Sequence, residues 1–207
     1  MRALLAFAAA VFVFHHLPAL AGRFGDWVDL ATPFAVLGAA ALVLVALRPP
    51  LWVAALALAA GIAYADGHGI HLAANSIRAE EVTGEADDVS YFWDERFGHL
   101  EWHLGWLSLL VAFTLAERFG RRPATPETAA GALVVLLLGF TLFTGTVEGQ
   151  DWWIVPPFAV ALAAWAVVRR APVLRACAGA LVLAVLLMAV WALWQGGMPQ
   201  FSELGWI

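Results

Sequence analysis

The chain has 207 residues, 63% apolar and 13% charged, with a formal net charge of −5 and a mean hydropathy of +0.82. Soluble domains carry about a quarter charged residues and roughly half apolar ones, so this composition excludes that class, and disorder with it. One cysteine excludes a disulfide scaffold, and an acidic balance without a basic stripe excludes nucleic acid as a partner.

A membrane-spanning helix needs about 20 mostly apolar residues. In chain order, such runs predict spans at 2–20, 31–47, 51–70, 100–116, 129–147, 152–168 and 173–194. Pro49-Pro50, Arg121-Arg122-Pro123, Pro126, Arg169-Arg170 before Pro172, and Gly196-Gly197 punctuate them. The expected fold is an all-α bundle of seven transmembrane helices, a single polytopic domain over 1–207 with an outer polar loop at 78–98. The first run has a second reading: Ala19-Leu20-Ala21 before Gly22 resembles the cleavage site of a signal peptide, whose removal leaves six spans.

Arginine sets the orientation, since the chain has no lysine. Arg2, Arg48, Arg118, Arg121, Arg122, Arg169, Arg170 and Arg175 fall on one side of this topology, and only Arg23, Arg78 and Arg96 on the other. Positive charge near span ends stays in the cytoplasm. A multi-pass protein of the cell membrane is expected, with the N-terminus inside and the C-terminus outside.

The six histidines come in three pairs, His15/His16, His68/His71 and His99/His103, all toward the outer or periplasmic face. At 1.5 Å per residue from the cytoplasmic boundary, His15, His68, His103 and His99 lie about 20 to 28 Å up their helices, and Glu148 about 31 Å. Glu95, His99 and His103 stand at i, i+4 and i+8, one stripe of a helix. His68, His71 and Asn75 form another stripe, and Thr141, Thr144 and Glu148 a third. Ionisable groups in a bilayer are costly and face a partner, water or a metal inside the bundle.

Those stripes make His68, His71, His99 and His103 candidate ligands of a divalent metal, zinc first and iron second. Asp94, Glu95 and Glu148 are the candidate catalytic carboxylates, because they adjoin the histidines. The bland alternative is interfacial histidine satisfied by water or local caps, and for His15 and His16 the two readings balance. Trp102 and Trp106 are candidate walls of a substrate pocket, the other outer tryptophans an interfacial belt, and Cys177 core packing. No phosphate loop, dinucleotide fingerprint, Gly-x-Ser-x-Gly elbow or Gly-x-x-x-Gly packing motif stands out.

Seven helices with histidines gathered at one face, and His99-x-x-x-His103 with Asp94 as the acid, resemble the CREST superfamily, which includes the alkaline ceramidases and the PAQR receptors. The resemblance implies a zinc site and hydrolysis of lipid amides. The family's serine four residues before a histidine is missing here, and the paired histidines sit on the fourth helix rather than late in the chain. The expected function is a metal-dependent membrane hydrolase acting at the outer face on a lipid or other membrane-embedded substrate. The alternatives are a non-catalytic metal or proton sensor or carrier, a haem-binding membrane protein, and a structural protein whose histidines bind nothing.

Overall fold

A computed structural model describes residues 1–20, 24–121 and 128–206. These residues are helical nearly throughout, with no strand among them. The α-helices are α1 (Arg2–Leu20), α2 (Gly25–Leu47), α3 (Leu51–Arg78), α4 (Glu85–Tyr91), α5 (His99–Phe119), α6 (Thr128–Glu148), α7 (Val155–Val168) and α8 (Pro172–Gln195). A π-helical segment, Phe92–Gly98, joins α4 to α5, and one 3-10 turn, Trp152–Ile154, leads into α7. Five helices, α1, α2, α3, α6 and α8, are long and apolar enough to cross a membrane.

The punctuation in the sequence ends the helices as local chemistry requires. Arg48 turns left-handed (φ 49°) at the end of α2, its N–H bonding Leu44 O, and Pro50 in extended backbone opens α3. Proline occupies the first turn of α7 and of α8, where its missing N–H costs nothing. Gly196 (φ 71°) closes α8 in the left-handed conformation. The stretch expected as a loop over 78–98 is instead helical from Glu85 onward, and α3 runs on to Arg78.

The most polar long helix, α5, is also the most enclosed. It packs chiefly against α3 and also touches α8, α2 and α7, while α6 packs on α8 and α1, and α1 on α2. Trp106, Leu107, Leu109, Leu110 and Phe113 of α5 are wholly or almost wholly buried. From α1, Leu4, Phe7, Ala8 and Val11 join the same core.

Three glycines set the distance between α3 and α5. A Cβ on Gly67 would overlap the Trp102 backbone, one on Gly105 the Tyr64 backbone, and one on Gly98 would meet Trp93 O at 2.8 Å and His71 N at 3.0 Å. Such backbone-to-backbone approach is open only to residues without a side chain. Gly98 and Gly105 stand seven residues apart on one helix face, a spacing that a search for Gly-x-x-x-Gly passes over.

At the other end of α5, Glu117 is 1% exposed. Its carboxylate accepts hydrogen bonds from Val173 N (3.0 Å) and Leu174 N (2.9 Å), two otherwise unpaired donors in the first turn of α8. The negative charge sits where the α8 dipole favours it.

Candidate metal centre

The tight α3–α5 crossing carries His71 against His99, ring centroids 4.4 Å apart. The π-helical segment then turns Asp94 inward to meet them. One ligand atom from each of His71, Asp94 and His99 lies within 4.8 Å of the other two. A single π-helical stretch inside α-helix is a recurrent device at functional sites, because the extra residue per turn re-aims a side chain. Here it buries Asp94 while leaving Phe92 and Trp93 exposed.

Asp94 is 1% exposed. His71 Nδ1–H donates to its Oδ1 at 2.6 Å, and Arg78 Nη1 lies 3.4 Å from its Oδ2. Burial works against its charge, yet the His71 hydrogen bond, the neighbouring His71 and His99 rings and the Arg78 guanidinium outweigh it and hold the carboxyl below the usual range. Arg78 also lies 3.5 Å from Glu95 Oε1 and stacks over the Tyr91 ring at 5.2 Å. Glu95 Oε2 in turn lies 3.4 Å from His99 Nδ1.

The other candidate residues have their own partners. His68 Nε2–H donates to Asp29 Oδ1 at 3.0 Å, and His103 Nδ1–H to Asp151 Oδ2 at 2.7 Å. Their second ring nitrogens, His68 Nδ1 and His103 Nε2, are buried with no hydrogen-bond partner among the described residues. Glu148 accepts from Phe201 N at 2.7 Å and from Ser202, so its carboxylate fastens the C-terminal segment outside the three-residue cluster. His15 and His16 each donate Nδ1–H to a carbonyl one turn back, Val11 O and Phe12 O. Their Nε2 atoms face Tyr64 Oη (3.2 Å) and Thr144 Oγ1 (3.1 Å).

Trp102 is the common wall. Its ring lies 4.6 to 5.9 Å, centroid to centroid, from His15, His68, His71, His99 and His103. Four of these rings form a row, His68, His71, His99, His103, with successive centroid separations of 6.4, 4.4 and 5.9 Å. Each member of the row has a carboxylate beside it: Asp29, Asp94, Glu95 and Asp151 in turn. Asp29 and Tyr64 escaped the sequence reading. Asp29 precedes the apolar run of the second span, and nothing in the spacing of Tyr64 marks it as a partner of His15.

The cluster has the donors that a divalent ion takes. Two imidazole nitrogens and one carboxylate oxygen suit zinc and iron alike, with a fourth position left open. Metal–ligand bonds of about 2.0 to 2.2 Å in tetrahedral geometry separate neighbouring ligand atoms by about 3.3 Å. If His71 ligates through Nδ1, the proton it donates to Asp94 shifts to Nε2 and the 2.6 Å contact opens by less than an ångström, while the other pairs, all within 4.8 Å, close by side-chain rotation. No family model matches this chain, and no curated protein or solved structure matches it.

Proposed function

We propose that this chain is a multi-pass membrane protein that binds a divalent metal at His71, Asp94 and His99 and hydrolyses an ester or amide bond of a lipid or membrane-embedded substrate. The observation that carries the reading is the convergence of those three ligand atoms from α3, the π-helical segment and α5. The arginine distribution supports a cytoplasmic N-terminus, which puts the cluster at the outer or periplasmic face.

A bound zinc ion would supply water whose pKa is lowered to near 7. Around that position the chain's own groups divide the work. His71 and His99 would each offer a ring nitrogen to the ion, and Asp94 a carboxylate oxygen. Glu95 is held by Arg78 and by Gln200 Nε2, 3.4 Å from its Oε2, and is the carboxylate placed to take up a proton beside His99. Trp102 closes the inner side against water. His68 and His103, oriented by Asp29 and Asp151, flank the His71–His99 pair on either side. The resemblance to the CREST superfamily, through Asp94 and His99-x-x-x-His103, supports hydrolysis as the reaction class.

Metal analysis of the protein purified in detergent tests the reading. One zinc or iron per chain is expected in the wild type, falling severalfold or more in His71→Ala, His99→Ala and Asp94→Ala and unchanged in His16→Ala. Trace metal at the same level in every variant would remove the centre. Which ion is found decides between water activation and iron chemistry, since the same three donors serve both.

A further inference from the structure

A groove of about 610 Å³ runs down the outside of the α3–α5 pair, with Phe158 of α7 at its side. Its floor is built of small residues, Ala60 and Ala63 from α3 with Gly105, Ser108 and Ala112 from α5. Its rim includes the exposed Leu56, Phe97 and Leu104. One charged side chain, Glu101, lines it. The Glu101 Oε2 atom is buried with no hydrogen-bond partner among the described residues, and Asp66 of α3 is near enough for the two carboxylates to repel.

The groove has a direction. Counted from Arg118, Glu101 lies about 26 Å up α5, close to the far edge of a hydrocarbon layer about 30 Å thick. From Glu101 to Leu115, the apolar track runs about 21 Å back toward the arginine-rich end. A lipid of the outer leaflet has the same polarity, with its headgroup at the Glu101 end and an acyl chain lying down the track. The Glu101 side chain is part-exposed, but its one buried oxygen at the edge of hydrocarbon stays costly unless a cation or donor reaches it. Acyl chains supply neither. A choline headgroup supplies charge without an N–H, whereas an ethanolamine ammonium supplies both, and the charge-assisted hydrogen bond is the strong kind.

We propose that this groove binds an ethanolamine-headed lipid, its ammonium donating to Glu101 and one acyl chain lying along Ala63, Ser108 and Ala112. This rests on the membrane placement in the preceding reading and not on its metal.

The test uses the full chain in nanodiscs of choline-headed lipid, doped with a lipid whose acyl chain carries a diazirine and whose headgroup is either ethanolamine or choline. After irradiation, labelled peptides are mapped by mass spectrometry, and bound metal is measured on the same samples. The ethanolamine probe is expected to label residues 56–63 and 104–115 about tenfold or more above the choline probe. Glu101→Gln is expected to bring it down to the choline level with metal content unchanged. Ser108→Phe, which fills the floor, is expected to remove labelling by both probes. Equal labelling by the two headgroups in the wild type overturns the proposal, and that comparison needs no variant to fold. Headgroup preference that survives Glu101→Gln, or chain-to-chain cross-links across the groove with neither probe entering, overturns it too. Headgroup preference in samples without metal would sink the metal centre and leave the groove standing.

Discussion

Glu117 shows how much one side chain can carry. It is a buried carboxylate in an apolar environment, and what makes it tolerable is a pair of backbone donors from another helix, Val173 N and Leu174 N. Glu117→Ala removes both acceptors at once and strands two N–H groups in the core, so a loss of about 2 to 4 kcal/mol is expected. Glu117→Gln keeps one acceptor oxygen and should lose less. Thermal unfolding in detergent micelles, with bound metal followed in parallel, measures both, and a variant as stable as the wild type would show that the cap is ornamental. In the sequence, nothing around Glu117 marks it as a cap. Its partners are 56 and 57 residues away and are backbone atoms, which carry no sequence signal. The histidines were legible for the opposite reason: their cost in hydrocarbon is written in the residue type, and His99 and His103 share a helix, so i, i+4 spacing placed them together. The carboxylates Asp29 and Asp151 come from other segments, and only the folded bundle supplies them.

Among the elements, the α3–α5 crossing decides whether there is a site at all. His71 and His99 sit one on each helix, and their 4.4 Å ring separation depends on Gly67, Gly98 and Gly105 letting the backbones touch. Gly105→Val would place side-chain atoms on the Tyr64 backbone and wedge the helices apart. Metal content should then fall to the level of His99→Ala, although every ligand is still present. Gly69→Ala is the control, because a Cβ there meets nothing within 4 Å and the variant should bind as the wild type does. Metal analysis of the two variants side by side checks this. Helix boundaries were largely readable, since proline, glycine and arginine clusters mark them by local chemistry. The crossing was not, because its glycines are divided between two helices about 30 residues apart. The π-helical segment was hidden too: Phe92–Gly98 differs from ordinary helix only in which backbone groups pair.

At the scale of the whole molecule, the C-terminal segment after α8 folds back over the end of the bundle that carries Glu95 and Glu148. Trp191 Nε1–H donates to Pro199 O at 3.1 Å, Phe201 packs on Trp191 with centroids 4.7 Å apart, and Glu148 holds Phe201 N at 2.7 Å. Gln200 then reaches both Glu148 O and Glu95. If the metal centre is as proposed, removing residues 198–207 frees Glu95 on one side and should weaken metal binding roughly tenfold, as losing a supporting group around a metal site typically does. Competition against a chelator measures it, and an unchanged affinity would limit this segment to packing.

The arrangement around α5 also bears on biosynthesis. Its apolar stretch is broken by His99, Glu101, His103 and Glu117, so of the long helices it is the one a bilayer would accept least willingly by itself. His99 finds His71 on α3, which the ribosome has already delivered, whereas His103 waits for Asp151, made after α6. Glu117 has to wait for the start of α8, made more than fifty residues later. If α5 crosses the membrane as proposed, its histidines and Glu117 are all partnered only when α8 arrives, and a nascent chain stalled before Pro172 should hold it loosely enough for a quality-control protease to find.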